Sequence, residues 1–324
     1  MTKVLIVRFS SIGDIVLTSP LVRCLKQQNA ETELHYLTKK KFSAVLEHHP
    51  LIDKLFTISK EITEIIPQLK SEKYDFIIDL HNNLRSRRLS FVLGVKTFRF
   101  DKLNIEKWLL VNLKINRMPD IHIVDRYLAS IKSLVSNCDN QGLDYFIGEN
   151  DEQFGWKIKE EIGKKYHVLV LGGTYFTKQI PIEILKQIAD ESKFPLVLLG
   201  GKEDVEKAKI LENADIINLC GKTSLNESAA VIKYAACVIT SDTGLMHIAA
   251  AFKRKIISLW GNTVPEFGMY PYFPENLKEN NLMFEVKNLS CRPCSKLGYN
   301  SCPKKHFNCM MKQDIPQILE ILNS

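Results

Sequence analysis

The sequence predicts an α/β protein with two Rossmann-like parallel-sheet domains that face a central cleft. Two observations predict this class. Short apolar runs alternate with amphipathic stretches, and the alternation occurs twice along the chain, on either side of a polar segment. A length of 324 residues also suits two domains of about 150 residues each.

The first series of apolar runs predicts the sheet of the N-terminal domain. Its predicted strands are Val4–Phe9, Glu33–Leu37, Lys54–Ile58, Asp75–Leu80 and Thr97–Phe100. The predicted helices are Asp14–Gln28, Phe42–His48, Ile62–Ser71, Leu84–Val92, Ile105–Leu113 and His122–Val135. Strands that alternate with helices of this length form right-handed βαβ units and therefore a parallel sheet.

A turn-rich segment, Asp139–Asp151, predicts the domain boundary, so we place the two domains at residues 1–150 and 151–324. The second series has stronger apolar runs, typical of parallel strands that helices cover on both faces. Its predicted strands are His167–Leu171, Leu196–Leu199, Ile216–Leu219, Cys237–Thr240 and Lys255–Leu259. Its predicted helices are Glu152–Gly163, Ile182–Ser192, Val205–Asn213, Leu225–Ala235, Leu245–Phe252 and Gln313–Asn323.

The charge balance and the apolar runs narrow the class of protein. Lys and Arg number 44 against 37 acidic residues, a net charge of +7 that suits phosphorylated ligands or an anionic surface and does not call for nucleic acid. The chain has no run of 18 apolar residues, and its first apolar run is shorter than a signal-peptide core. We expect a cytoplasmic protein.

Polar loops follow the predicted strands, where open parallel sheets bind ligands. The loop after the first strand ends in Asp14. This residue is either a capping or first-turn acid of the next helix or, if it lies in a cleft, a general base. The residues alone favour the capping role. After the fourth strand, the basic segment Asp79–Arg88 is either a lip for an anionic acceptor or a solvated helix face.

Three strand ends of the second series predict a nucleotide diphosphate site. The segment Ser241–His247 enters a helix through a small glycine-containing turn, and such a turn either seats an anion or caps a helix that holds no ligand. The Leu171–Thr174 end precedes Lys178, which is either a partner for a phosphate or a solvated surface lysine. The Leu199–Asp204 end places acids where a ribose would lie.

Three segments, VLIVRFSSIGDIVLTSP at Val4–Pro20, DLHNNLRS at Asp79–Ser86 and SDTGLMHIAA at Ser241–Ala250, resemble the heptosyltransferases of lipopolysaccharide core synthesis. The resemblance covers nearly the whole chain and implies the GT-B fold. It also implies an inverting, metal-independent transfer from ADP-heptose to an anionic, lipid-linked glycan acceptor, with peripheral contact at the inner face of the membrane and no cofactor. The first domain would then bind the acceptor and the second the nucleotide-sugar donor.

The same resemblance implies roles for individual residues. Asp14 would be the catalytic base, and Lys178 would stabilise the departing diphosphate. The implied donor-binding residues are Thr174, Lys178, Glu203, Asp242, Thr243, Gly244, Leu245 and His247, and the implied acceptor-binding residues are Ser11, Gly13, Asn82 and Arg85. Other sugars or acceptors on the same fold, a nucleotide-sugar epimerase and a non-catalytic binding protein remain as alternatives.

The eight cysteines fall into two sets. Cys24, Cys138, Cys220 and Cys237 are scattered, and we expect them to be small buried apolar residues. Cys291, Cys294, Cys302 and Cys309 cluster with His306 in a pattern that packing, a structural metal or a facultative disulfide would each explain. We favour a structural role over a catalytic one and assign no metal.

Overall fold

The structure is a computed structural model that describes residues 2–324. The chain forms two compact units, one of residues 2–102 and 121–147 and the other of residues 103–120 and 148–324. Each unit has its own fully parallel sheet, so the predicted α/β class with two parallel-sheet domains is confirmed. Residues 103–120, which the sequence analysis placed in the first domain, group with the second unit.

The helices and strands up to residue 130 are β1 (Lys3–Val7), α1 (Ile12–Val16), α2 (Ser19–Gln28), β2 (Glu33–Lys39), β3 (Lys54–Ile58), α3 (Ile66–Ser71), β4 (Phe76–Asp79), α4 (Leu84–Leu93), β5 (Lys96–Arg99), α5 (Asn104–Trp108) and α6 (Ile123–Ser130). Of these, α5 and the π-helical turn Leu109–Leu113 that continues it belong to the second unit. Short 3₁₀ segments occupy Lys40–Val45 and Ile62–Glu64.

The remaining elements belong to the second unit. They are α7 (Glu149–Ile162), β6 (His167–Val170), α8 (Ile182–Glu191), β7 (Leu196–Leu199), α9 (Val205–Lys209), β8 (Ile216–Asn218), α10 (Leu225–Tyr234), β9 (Cys237–Ser241), α11 (Gly244–Ala251), β10 (Lys255–Trp260), β11 (Asn281–Glu285), α12 (Asn308–Met311) and α13 (Ile315–Leu322). Further 3₁₀ segments lie at Phe176–Lys178, Lys202–Asp204, Pro265–Phe267 and Glu275–Asn280.

Strand order decides which loops become neighbours. The first sheet has the order β3-β2-β1-β4-β5, and Val7 of β1 pairs with Asp79 of β4. The second has the order β11-β10-β9-β6-β7-β8, and Leu169 of β6 pairs with Ile239 of β9. Each central pair is a point where the strand order reverses, so the loops after β1 and β4, and those after β6 and β9, lie side by side at the ligand-binding edge.

The centre of each sheet is buried. Leu5 and Ile6 of β1 have no exposed surface, and neither do Leu169 of β6 and Ile239 of β9. Both faces of these strands are therefore buried, as expected of parallel strands. Rigid strands of this kind hold the loops at their carboxyl ends in fixed positions.

Some predicted elements were wrong in detail. The predicted helix Asp14–Gln28 is two helices, α1 and α2, because Pro20 lies in the first turn of α2 and offers no N–H to continue α1. The predicted helix Phe42–His48 is instead the 3₁₀ segment Lys40–Val45. Strand β11 was not predicted, because its residues are nearly all only partly buried and give a weak apolar pattern.

The prediction for the scattered cysteines was wrong for one pair. Cys24 and Cys138 form a disulfide across 114 residues, with a Cα–Cα distance of 5.3 Å, and link α2 to the segment after α6. Cys220 and Cys237 are free and buried, as predicted.

Two further observations bear on function. Within residues 2–324, no helix is both long enough and apolar enough to cross a membrane. A cavity of about 230 Å³, lined in part by Ala189, Leu196, Asn213 and Ile216, lies at the amino-terminal ends of β7 and β8. Because ligands of parallel sheets bind at the opposite edge, we do not assign this cavity to the active site.

Candidate functional site

In the first unit, the loop after β1 builds an ion pair at the edge of the sheet. Arg8 follows β1 directly, and its Nη2 lies 2.6 Å from Oδ1 of Asp14. Ser11 donates to the other carboxylate oxygen, from its N–H at 3.0 Å and its hydroxyl at 2.8 Å. The Nε–H of Arg8 donates to the Ser10 carbonyl at 2.7 Å. Both oxygens of Asp14 are thus held in one orientation.

The charge state of Asp14 is set by two opposing effects. Burial by itself raises the pKa of this carboxyl, but the Arg8 guanidinium and the hydrogen bonds from Ser11 outweigh it and lower the pKa below its usual value. Asp14 is therefore a carboxylate at neutral pH. Its side chain keeps 17% of its surface exposed, so the carboxylate is accessible from the surface of its unit.

The loop after β4 adds positive charge and a neutral imidazole beside this pair. Burial and the charges of Arg8 and Lys102 lower the pKa of His81 to about 3, so its ring is neutral at physiological pH. Lys102 donates to the carbonyls of His81 at 2.9 Å and Asn82 at 3.2 Å. The edge of the first unit therefore suits an anionic ligand.

The fully buried carboxylate of Asp79 shapes this loop. It accepts from the N–H of Asn82 at 2.7 Å and from the Ser86 hydroxyl at 2.8 Å. The amide of Asn82 in turn donates to the Phe100 carbonyl at 3.0 Å. Of the predicted acceptor residues, Asn82 is thus tied into the loop and Ser11 is bonded to Asp14.

The other two predicted acceptor residues differ in exposure. Gly13 is buried within α1, whereas Arg85 keeps about a third of its side chain exposed. The Nη2 of Arg85 lies 3.7 Å from a carboxylate oxygen of Glu61, whose side chain is 62% exposed. That pair is loose enough for Arg85 to reach a ligand, since exposed ion pairs contribute little free energy.

In the second unit, the loops after β6 and β9 bring two predicted site residues together. The Nζ of Lys178 lies 2.6 Å from Oδ2 of Asp242, and both side chains are mostly buried. The Thr263 hydroxyl donates to the same oxygen at 3.0 Å. Lys178 and Asp242, for which the resemblance implied separate roles, therefore form an ion pair with each other.

The turn that enters α11 is a helix N-terminus beside this pair. Thr243 is the N-cap, and its hydroxyl accepts from the N–H of Met246 at 3.3 Å. The N–H groups of the first helical residues, such as Gly244 and Leu245, have no partner within the helix and are available to an anion. His247 lies one turn in and is only 2% exposed.

The loop after β7 separates the roles of its two acids. Asp204 is 2% exposed and accepts from the N–H of Gly201 at 2.8 Å, so it closes the loop. Burial raises the pKa of Asp204. Glu203 is exposed and remains the acid that can meet a ligand, and Thr174, after β6, is also exposed.

Residues of the C-terminal segment form hydrogen bonds next to the Lys178–Asp242 pair. Tyr299 donates its N–H to the hydroxyl of Thr177 at 2.8 Å, next to Lys178. Arg292 donates to the Gly261 carbonyl at 2.6 Å and the Thr263 carbonyl at 3.1 Å. The segment that carries the late cysteines therefore holds Thr177, which precedes Lys178, and Thr263, which donates to Asp242.

The late cysteines are free thiols. Cys309 is 5% exposed, and the Cys294 thiol donates to the Cys291 carbonyl at 3.1 Å. The Cys291 sulfur lies 4.0 Å from Nε2 of His306. Among the described residues, the cysteines do not form a group of three ligand atoms within 4.8 Å of one another.

Glu33, His35 and Glu72 do form such a group. However, the Nζ of Lys3 lies 3.1 Å from Glu33 and 2.9 Å from Glu72, and the Tyr74 hydroxyl lies 2.9 Å from His35. Lys3 therefore bridges the two acids, at the amino-terminal end of the strands and away from the candidate site. We assign no metal to this group.

Sequence reasoning missed several residues of the site. Arg8 could have been found, because a charged residue directly after a buried strand is a common ligand or ion-pair position. Thr263, Arg292 and Tyr299 could not, because they meet the site only through contacts across long sequence separations.

Comparisons with known proteins match most of this chain to one family. Residues 62–301 match the model of a family described as glycosyltransferase family 9 (heptosyltransferase). The chain is 26% identical to lipopolysaccharide heptosyltransferase 1 of Campylobacter coli over 289 residues, 81% of this chain and 84% of that protein.

Two solved structures are similar along nearly their whole length. A glycosyltransferase family 9 protein from Veillonella parvula has a TM-score of 0.80 at 20% identity, covering 99% of this chain and 97% of that one. The E. coli heptosyltransferase WaaC with ADP has a TM-score of 0.68 at 21% identity, covering 99% and 100%. These likenesses confirm the predicted GT-B fold.

Proposed function

Because this chain belongs to glycosyltransferase family 9, the heptosyltransferase family, we propose that it transfers a heptose from ADP-heptose to a lipopolysaccharide core. The transfer inverts the anomeric centre and needs no divalent metal ion. Residues 1–150 bind the lipid-linked, anionic acceptor at the membrane surface, and residues 151–324 bind the donor.

The observation that carries this proposal is the Lys178–Asp242 pair beside the N-terminus of α11. Transfer breaks the bond between the anomeric carbon and the diphosphate, and the electron pair leaves with ADP. The Lys178 ammonium and the N–H groups of residues 243–245 would stabilise that negative charge. A fixed cation and helix N–H groups supply the stabilisation that a metal ion supplies elsewhere.

The donor's other groups have candidate partners in the same unit. Asp242, released from Lys178, would accept hydrogen bonds from the heptose hydroxyls. Glu203 would meet the ribose, and Thr174 would lie beside the phosphates with His247 one helical turn beyond them. A bound diphosphate competes with Asp242 for Lys178, so donor binding would free this carboxylate for the sugar.

Asp14 would act on the acceptor. The acceptor hydroxyl oxygen attacks the anomeric carbon, and its proton passes to the carboxylate of Asp14. Because Arg8 and Ser11 lower the pKa of Asp14, proton transfer becomes favourable only when bond formation has made the hydroxyl acidic. The basic groups Lys102 and Arg85 would hold acceptor phosphates, with Ser11, Gly13 and Asn82 shaping the loop around the hydroxyl.

The proposal is tested by titration calorimetry of the full chain with ADP, UDP and GDP, each without metal, and by transfer assays on Asp14→Ala. We expect a clear preference for ADP, and D14A should bind ADP normally but transfer no heptose. A preference for UDP or GDP would point to another nucleotide sugar on the same fold. Unchanged turnover in D14A would remove Asp14 from the role of base.

A further inference from the structure

Helix α4 carries two large apolar side chains on the face that points away from its unit. Leu84 is 88% exposed and Phe91 is 87% exposed, whereas Ser86 and Leu89 of the same helix are buried. At 3.6 residues per turn, positions 84, 88 and 91 fall on one side and positions 86, 89 and 90 on the other. The outer face of a surface helix is ordinarily polar, so this face is unusual.

The same region is strongly basic. Residues 84–100 contain Arg85, Arg87, Arg88, Lys96 and Arg99 and no acidic residue. Arg85 and Arg99 lie near Glu61 and Asp79 of other segments, so the positive charge of this face rests chiefly on the exposed Arg87 and Arg88. Arg88 is exposed and lies between Leu84 and Phe91 on the helical face. The outer face of α4 therefore combines exposed apolar side chains with positive charge.

We propose that the outer face of α4, formed by Leu84, Arg88 and Phe91, docks on an anionic phospholipid bilayer. Leucine and phenylalanine side chains insert at the boundary between headgroups and acyl chains, and nearby arginines bind the lipid phosphates. A protein partner would require an apolar patch whose centre is depleted of charge, whereas here Arg88 stands between the two apolar side chains.

The position of α4 connects this face to the candidate acceptor site. The helix begins at Leu84, immediately after the loop that holds Asn82, and Arg85 lies in its first turn. Docking of α4 would bring this loop to the surface in which a lipid-linked acceptor is embedded. The inference rests on the proposed function for the identity of the acceptor, but bilayer binding can be measured with no donor or acceptor present.

The test is flotation of the full chain with two kinds of vesicle, one of phosphatidylcholine alone and one of phosphatidylcholine and phosphatidylglycerol in equal parts. The chain should float with the mixed vesicles only, and added salt should weaken binding because it screens the charges. Leu84→Ser/Phe91→Ser should lower the partition coefficient by about tenfold or more, since two inserted apolar side chains are lost. Arg88→Glu should lower it by about fivefold or more.

The matched control is Ile210→Ser, which removes another exposed apolar side chain, 58% exposed, from the second unit. This variant should float like the unchanged chain, and circular dichroism should show all variants folded. Failure of the unchanged chain to float, or flotation of L84S/F91S at the original level, would overturn the inference. The inference would also be overturned if the unchanged chain self-associated instead of binding vesicles and L84S/F91S abolished that self-association.

Activity distinguishes this failure from failure of the proposed function. A chain that floats but transfers no heptose contradicts the proposed function but supports the docking of α4 on the bilayer. A chain that transfers heptose to a delipidated acceptor but does not float contradicts the docking face alone.

Discussion

At the scale of single residues, Arg8 controls the carboxylate that we propose as the base. Replacing Arg8 with Gln removes the charge that opposes burial, so the pKa of Asp14 should rise. The carboxylate is the active form, and its pKa is below the usual value in the unchanged chain. The acid limb of the kcat/KM profile should therefore move to higher pH in R8Q, with kcat lower by about tenfold or more.

Arg8→Lys is the control for this prediction, because it keeps the charge and should restore part of the original pH profile. Loss of one partner of a buried pair costs about 3–5 kcal/mol, so thermal unfolding must first show that R8Q is folded. A folded R8Q whose acid limb does not move would show that Arg8 does not set the ionisation of Asp14.

Lys178 and Asp242 should behave as a coupled pair in donor binding. Lys178→Ala should weaken ADP binding by about tenfold, because a charge-assisted contact to the diphosphate is lost. Asp242→Asn should keep or strengthen ADP binding, since the carboxylate no longer competes for Lys178, but should weaken binding of the complete donor. Calorimetry measures the affinity for ADP and the affinity for ADP-heptose separately. Equal losses of affinity for both ligands in D242N would contradict this prediction.

At the scale of elements, the crossing of α7 and α10 depends on Gly155. A Cβ added at this position would lie 2.6 Å from the carbonyl carbon of Ala230 and 2.7 Å from its Cβ. Gly155→Ala gains about 1 kcal/mol of helix propensity, but overpacking against a backbone that cannot move costs about 1–3 kcal/mol or more. We expect a net decrease in the free energy of unfolding.

Urea denaturation of G155A measures that decrease. The matched control is Gln153→Ala on the exposed side of α7, which should change the free energy of unfolding by less than about 0.5 kcal/mol. A G155A chain as stable as the original would show that the two helices can move apart without cost.

At the scale of the whole molecule, the proposed mechanism predicts independence from divalent metal. Heptose transfer measured in excess EDTA should equal transfer measured with added magnesium, because Lys178 and the N-terminus of α11 carry the charge stabilisation. A strict requirement for magnesium would overturn the metal-free mechanism while leaving the GT-B fold and the family in place.

Local patterns allowed more of the sheets to be predicted than of the helices. Strand β3 and strand β7 have the predicted bounds, because a short apolar run between polar turns has few alternatives. Helix ends depend on caps and on proline, so the predicted helix Asp14–Gln28 became α1 and α2. The apolar pattern of β11 is too weak to predict a strand by itself, because this strand depends on its pairing with β10.

The sequence by itself determined the α/β class, the two parallel sheets and the strand ends that carry polar residues. It did so because the spacing of apolar residues is local, and parallel strands place their carboxyl ends at one edge. Only the tertiary structure decided which of those polar groups meet. Lys178 and Asp242 lie 64 residues apart, Thr177 and Tyr299 lie 122 apart, and Cys24 and Cys138 lie 114 apart. Such pairs depend on strand order and burial, which no local pattern of residues contains.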